Sequence, residues 1–507
     1  MNKLLAEDLK KARRLAQENI IDSTKLPNAS FRRLKKLGWL AEIIRGWYIL
    51  KTPEAAEGES TLWYANFWPF LKVYLQKNYK DDYCLNPTSS LFLKTDCNVV
   101  PKQVVVILKT GGTRTLDLPF NTSIFFYVEK TNFPTEVEDH HGINTIELAK
   151  ALTLVPESFF SSYETEAELA LCMVRSPADL SKHLLNDSKP AKADILAGAY
   201  EFLKKDDFVN QIKQDMELLP HTVRPKNPFI KKVPSFTSFK VTSPAVARIE
   251  MLWKKHRDFL ISHFPGPKGK KQNIKEILAE VDKIYVHDAY NSLSIEGYAV
   301  TEELIQKVAE GNFDPEINEE DKKQEGALAA RGYYLAFTAV KKFIKDNFGK
   351  TQNTIKYQNI VQTTYQKLFT PKVQAGVANP SLLVGYRNRP VFIRGSRHTP
   401  VNFSIVGDVM DKFFELLDAE TSPKAQAILG HFILVYIHPF SDGNGRTARL
   451  LMNLILMRAG YPPAVILTVD RKKYYRVLKD ADKDRFEGFL AFIGRSIDRS
   501  LSIYLNA

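Results

Sequence analysis

The sequence predicts a mainly α-helical, multidomain chain in which a mixed α+β region precedes a long helical C-terminal part. Three observations carry this. The chain has 507 residues, a length that suggests about three domains. From about residue 245 onward, apolar residues recur at helical spacing. Before that point QVVVILKT and SIFFYVEK read as two strands around the turn-rich GGTRTLDLPFN. Between the two regimes, HTVRPKNPFIKKVPSFTSFKVTSP (221–244) carries four prolines and five Lys/Arg without a period, and reads as a linker. The expected divisions are 1–50, 51–225, a linker and leading helix over 226–270, and 271–507.

Bulk properties narrow the class. With 44% hydrophobic and 25% charged residues the composition is globular. No run of eighteen apolar residues is present, so no spanning helix and no membrane partner are expected. The start, MNKLLAEDLKKARRLAQ, is too charged for a secretory h-region. Cys84, Cys97 and Cys172 stand far apart with no CxxC, which fits a reducing, cytoplasmic setting and gives no metal framework. Net charge is +13, and residues 1–50 hold eleven Lys/Arg against five Asp/Glu. Such a local excess points to a polyanion.

Residues 1–50 read as helix, short helix, helix and hairpin. Asn28 can cap a helix that closes at Gly38, and on it Ser30, Arg32, Arg33 and Lys36 offer groups that reach bases and phosphates. LAEIIRGWYIL then alternates around Arg45-Gly46 like a wing. This pattern resembles a winged helix-turn-helix, in particular the N-terminal domain of AbiEi-type antitoxins, and residues 86–130 resemble the domain that follows it in that family. The resemblance implies double-stranded DNA as a partner, with Ser30, Arg32, Arg33, Lys36 and Arg45 as contacts. A small bundle with a solvated basic face fits the same residues.

IKEILAEVDKIYVHDAYNSLSIEG (274–297) has one apolar helical face and stops at Gly297, leaving Glu296 at the negative end of a helix. Further on, Ser422-Pro423 is a helix start, and AKAQAILGHFILVYI is apolar on nearly every side. RTARLLMNLILMRA is a second such helix, ended by Gly460 with Pro462 and Pro463 beyond. Two buried helices therefore hold one short polar loop, HPFSDGNG.

The residue types in that loop define a chemistry. Gly443, Asn444 and Gly445 can turn successive N–H groups toward one point at a helix N-terminus, where anions are favoured. Arg446 and Arg449 share a helical face and can donate in pairs to phosphate oxygens. Asp442 amid this positive potential makes sense as a Mg²⁺ ligand, and His438 can accept a proton near neutral pH. The sum is a polyphosphate site with a metal ligand and a general base.

HPFSDGNGRTAR fits, at every defining position, the signature of the Fic-domain family, HxFx[D/E]GNGRxxR. The resemblance covers about 270–500 and implies an α-helical core with a β-hairpin flap. It implies transfer of AMP from ATP to a hydroxyl of a target protein, with loss of pyrophosphate. His438 would deprotonate the target Ser, Thr or Tyr. Asp442 would hold Mg²⁺ on the α- and β-phosphates. Gly443, Asn444, Gly445 and Arg446 would cradle the phosphates, Arg449 would take the γ-phosphate, and Phe440 would anchor the loop. SLSIEG, Ser292 to Gly297, resembles the family's autoinhibitory motif, in which the glutamate pairs with the second arginine of the signature. Glu296 would then occupy Arg449, or orient a water for removing AMP. SLLVGYRNRPVFIRGSRHTPV (381–401) resembles the flap, with Val391, Phe392 and Ile393 as the edge that pairs with target backbone. The family resemblance leaves room for a homodimer.

Other features stay open. Tyr474 and Tyr475 suit either an adenine site or the core, and His398 and His431 read as satisfied structural groups. FGKT (348–351) lacks the glycine a phosphate loop needs, since Ile344 stands there. The rival to an AMP-transferase is a DNA-binding regulator or antitoxin-like protein whose Fic-like part only senses nucleotide.

Overall fold

The computed structural model describes residues 3–51, 53, 60–219, 221–231, 233–235, 241, 243–264, 273–311, 325–350, 354–391, 393, 396–483, 485–500 and 502. The chain forms two units: Met1–Arg248 with Phe392–Thr399, and Ile249–Val391 with Pro400–Ala507. No helix among the described residues is long and apolar enough to cross a membrane.

The first unit opens with helices α1 (Lys3–Leu15) and α2 (Asn28–Lys36) and strands β1 (Ile20–Asp22), β2 (Leu40–Ile44) and β3 (Trp47–Leu50). The strands form an antiparallel sheet of order β1-β3-β2, and Gly46 turns the β2–β3 hairpin at φ +91°. Leu9 and Ala12 of α1 meet Leu34 of α2 and Tyr48 of β3 in one small core. Asn28 is not the cap: Pro27 holds that position with no side-chain bond, because its fixed φ already suits helix entry, and Asn28 is the first helical residue.

A four-stranded sheet follows, with β4 (Tyr83–Leu85), β5 (Gln103–Leu108), β6 (Arg114–Leu118) and β7 (Thr122–Val128) in the order β4-β5-β7-β6. Val104, Val106 and Leu108 alternate into its core, as a period of two requires. The two expected strands, β5 and β7, pair in parallel from Gln103↔Ser123 to Leu108↔Val128. The segment between them, expected to be turns, contains β6. This edge strand exposes Arg114, Thr115 and Asp117, so it lacks the apolar run that marks a buried strand. Strands β8 (Val137–His140) and β9 (Ile143–Ile146) form a hairpin. The helices of this unit are α3 (Ser60–Ala65), α4 (Phe67–Tyr79), α5 (Pro87–Lys94), α6 (Leu148–Leu154), α7 (Ser158–Ser162), α8 (Glu164–Met173), α9 (Pro177–Asn186), α10 (Pro190–Phe202) and α11 (Asp206–Met216). The described residues of the 221–243 linker form no helix or strand.

Helix α12 (Pro244–His263) comes next, and the rest of the second unit is helical. Its elements are α13 (Ile274–Ile295), α14 (Glu302–Ala309), α15 (Glu325–Asp346), α16 (Gln358–Gln374), α17 (Val406–Ala419), α18 (Pro423–Ile437), α19 (Asn444–Arg458), α20 (Arg471–Ala481) and α21 (Glu487–Ser500). Ser422 caps α18 by accepting from Ala425 N–H, with Pro423 at the first position. Helices α18 and α19 pack together and bury nearly every residue, including Ile428, Leu434, Leu450 and Ile455. Helix α15 lies close on α16 because Gly332 has no side chain; a Cβ there would stand 2.1 Å from the Leu368 carbonyl oxygen. The site is built where this central pair meets α13 and α16.

Candidate active site

The loop between α18 and α19 begins with a chain reversal. His438 adopts the left-handed conformation, φ 55° and ψ 57°, and caps α18 by donating its N–H to the Leu434 carbonyl. Its Nδ1 lies 3.0 Å from the Val435 carbonyl. A carbonyl only accepts, so the ring donates through Nδ1, and the neutral imidazole then carries its lone pair on Nε2, the arrangement a base needs. Phe440 is buried and stacks on Tyr365 at 3.8 Å. The Asn444 side chain closes the loop on itself: Oδ1 accepts from Phe440 N–H at 2.9 Å, and Nδ2 donates to the Phe440 carbonyl at 2.8 Å. That side chain thus closes the loop, and it sets the backbone N–H of Asn444 at the helix start, where a phosphate can accept from it. Gly443 starts α19 at φ +78°, and a Cβ there would meet the Phe369 ring at 2.6 Å. Asn444, Gly445 and Arg446 then occupy the first turn, where helix N–H groups lack intrahelical partners.

The charges follow from burial. Arg446 is 1% exposed, with its guanidinium 5.0 Å from the ring centres of both Tyr298 and Phe369. Its Nη2 donates to Asp442 Oδ2 at 3.2 Å, while Nε and Nη1 have no hydrogen-bond partner among the described residues. Buried donors without acceptors are costly, and oxygens of an anion at this helix end would satisfy them. Asp442 is exposed and lines a cavity of about 620 Å³ with Glu296, Tyr298, Ala299 and Glu325. That size suits a nucleotide. Among the described residues no three His, Cys, Asp or Glu side chains gather to hold a metal. A lone carboxylate beside a polyphosphate site still fits Mg²⁺, which takes its other ligands from phosphate and water.

Helix α13 supplies the opposing charge. Glu296 is its C-cap, followed by Gly297 at φ +92°. Arg449 of α19 is buried and donates through Nη2 to Glu296 Oε1 at 2.7 Å and to the Ser292 carbonyl at 3.0 Å. Its Nε donates to Ser292 Oγ at 2.9 Å. Burial alone would weaken this cation, but the charge and hydrogen bond of Glu296 outweigh it and hold Arg449 above the usual arginine range. Gly445 leaves the room for this pair: a Cβ there would stand 2.5 Å from Glu296 Oε1 and 3.1 Å from Arg449 Nη1.

Several residues of the site were not singled out in the sequence. Asp288, one turn before Ser292, is buried and accepts from Tyr333 OH at 2.6 Å and from Asn453 Nδ2 at 3.3 Å. Burial lifts its carboxyl to about 6, against the opposing pull of the Tyr333 bond and of Arg449. The signal was a polar pair at i, i+4 on an otherwise apolar face. Lys372 of α16 is buried, with Nζ 2.7 Å from Glu325 and 3.2 Å from Tyr298 OH. Nothing in its local sequence marks it, because α16 is weakly amphipathic and its neighbours come from distant segments.

Other expected residues lie elsewhere. Tyr474 is 1% exposed and takes the core alternative, 2.9 Å from His431 Nε2. Burial, and then the charge of Arg449, lower His431 to about 3, so this pair is neutral. Tyr475 donates to the Ile295 carbonyl at 3.3 Å. His398 is buried in the first unit and forms an isolated bridge with Val99. Val391 and Ile393 are half-buried and belong to no strand, while Phe392 lies outside the described residues. Among the described residues of 381–401 there is no hairpin, only the 3-10 turn Pro380–Leu383 and that bridge.

Two of the expected DNA contacts are engaged internally. Ser30 is buried and donates to Asp8 Oδ1 at 2.7 Å, and Arg33 Nε donates to Asp8 Oδ2 at 2.5 Å. These bonds join α2 to α1. Burial would raise the Asp8 carboxyl, but Ser30 and Arg33 hold it below the usual value. Arg32, Lys36 and Arg45 are exposed.

Residues 357–456 match the model of the Fic/DOC family. A protein adenylyltransferase Fic of Nematostella vectensis is 28% identical over 405 residues, covering 78% of this chain and 84% of its own length. One of Culex quinquefasciatus is 30% identical over 312 residues, or 60% of this chain and 57% of its own length. The solved structure of residues 134–508 of Fic-1 from C. elegans is 16% identical, with a TM-score of 0.38, and covers 71% of this chain and 91% of that one. The family match lies over the loop and its flanking helices, so this part of the chain is similar to the Fic/DOC family, and the longer matches are to proteins named protein adenylyltransferase Fic.

Proposed function

We propose that this chain transfers AMP from ATP to a Ser, Thr or Tyr hydroxyl of a target protein and that Glu296 restrains the reaction. The observation that carries this reading is the buried Arg446, which holds two donors without partners among the described residues, at a helix start beside the cavity. The relatives named protein adenylyltransferase support it. In the proposed step Nε2 of His438 takes the hydroxyl proton as the oxygen attacks the α-phosphorus. The bond from that phosphorus to the bridging oxygen breaks, and pyrophosphate leaves. Arg446 and the first-turn N–H groups of α19 stabilise the charge that develops on phosphate oxygens. Asp442 would hold Mg²⁺, which neutralises phosphate charge when bound. Arg449, once freed from Glu296, would bind the γ-phosphate. The segment containing Val391, Phe392 and Ile393 would pair with target backbone. The test is transfer of label from ATP carrying it on the α-phosphate, with Glu296→Gly protein and with the same protein bearing His438→Ala. Label only with His438 supports the proposal. Label with neither protein, while nucleotide still binds, would favour a nucleotide sensor.

A second reading concerns the N-terminal unit, on the observation that Arg32, Lys36 and Arg45 stay exposed on α2 and the β2–β3 hairpin. We infer that this face binds duplex DNA through phosphate contacts in the manner of a winged helix. A salt-dependent gel shift with the full chain tests it.

A further inference from the structure

Arg387 lies outside the Fic signature, yet it touches the loop that carries the base. It is 5% exposed, and among the described residues no carboxylate pairs with it. Among the described residues its acceptors are all backbone carbonyls. Nε donates to the His438 carbonyl at 2.8 Å, Nη1 to that of Arg389 at 3.4 Å, and Nη2 to that of Val401. Its own N–H donates to the Pro439 carbonyl at 2.9 Å. Burial pulls this guanidinium down to about 10. A buried cation with no counter-charge is a costly way to tie loops together. The position of its bonds suggests what that cost secures. His438 is the non-glycine residue that adopts the left-handed conformation in this loop, and its carbonyl is the group Arg387 grips. Rotation of the His438 peptide would swing the imidazole away from its Nδ1 bond to Val435. The fork also ties the His438 carbonyl to those of Arg389 and Val401 within the same unit.

We propose that Arg387 is a positioning residue for the general base: by clamping the carbonyl of His438 together with those of Arg389 and Val401, it fixes the aim of the imidazole. This rests on the AMP-transfer reading. Lysine keeps the charge but offers a single point of donation and cannot span three carbonyls.

The experiment compares Arg387→Lys with its parent, both in Glu296→Gly protein, using labelled ATP and self-modification. Expected are a fall in kcat of about 100-fold, the usual result of a small misplacement of a reacting group, and a KM for ATP within about 3-fold of the parent. NMR of ¹⁵N-histidine protein should show His438 in the Nδ1–H tautomer in the parent and in a mixture of tautomers in the variant. An unchanged kcat overturns the proposal. So does a parallel loss of ATP binding and cooperative melting, because Arg387 would then hold the fold and not the base. If the Glu296→Gly parent itself transfers no label, the AMP-transfer reading fails, and the tautomer measurement still decides whether Arg387 orients His438.

Discussion

Replacing Glu296 with glycine should release the site, and the size of the release follows from the contacts of Arg449. In the native chain that guanidinium makes one charged bond to Glu296 and two bonds to Ser292. The substitution removes the first and leaves the others, so the cation stays in place and gains a free donor. A hydrogen bond between charged groups contributes about 1.5–3 kcal/mol, and the Glu296 side chain is 27% exposed, which puts it in the lower part of that range. A phosphate oxygen competing for Arg449 no longer has to displace this bond. At ATP concentrations below saturation, transfer should therefore rise about 10- to 40-fold, since 1.4 kcal/mol is a factor of ten. The assay is the initial rate of labelling from α-phosphate-labelled ATP over a range of ATP concentrations. Glu296→Gln keeps the shape and loses the charge, so it should fall between the two. ATP should also raise the Tm of the glycine variant more than that of the native chain, because tighter binding stabilises more at equal concentration. Equal rates for native and variant proteins across the whole range, with His438→Ala silent in both, would refute the reasoning.

Three further outcomes are expected. His438→Ala in the released protein should lower transfer by about 10²- to 10⁴-fold while leaving ATP affinity nearly unchanged, as loss of a base does; isothermal titration measures the second quantity. Asp288 has a folded value of about 6, above its ordinary 3.8, so the folded state binds the proton more tightly than the unfolded state. Its contribution favours folding below about pH 4 and is lost as pH rises through 6, by at most about 3 kcal/mol. Asp288→Asn should remove that slope, read as the difference between variant and native denaturant midpoints from pH 4 to 7. Ser30→Ala and Arg33→Ala should lower the stability of the N-terminal unit by about 1–3 kcal/mol through the stranded Asp8, with a much smaller effect on DNA shift than Arg32→Ala with Lys36→Ala.

The helical C-terminal part was legible because its two central helices are bounded by local chemistry. Ser422-Pro423 opens one and Gly460 closes the other, and the loop between them is short enough that neither residue order nor spacing is ambiguous. Glu296 could be read as a C-terminal carboxylate in want of a cation. That the cation is Arg449 required the fold, or the family resemblance. What stayed hidden depended on contacts between distant segments. Strand β6 exists because β7 offers it an edge, not because its polar residues favour extension. Ser30 and Arg33 looked like ligand-binding groups because Asp8 lies 22 and 25 residues away in sequence. Arg387 resembles any loop arginine until the carbonyl of His438 is placed beside it.

Arg449 answers to Glu296 at rest and to the nucleotide in the proposed reaction, and this sharing makes the genetics lopsided. On the proposed reading, alleles that lose the carboxylate partner should gain activity, and alleles that lose the arginine should silence the enzyme whether or not the partner is intact. Selection for hyperactive variants should therefore recover changes at Glu296 and none at the arginine to which it is bound.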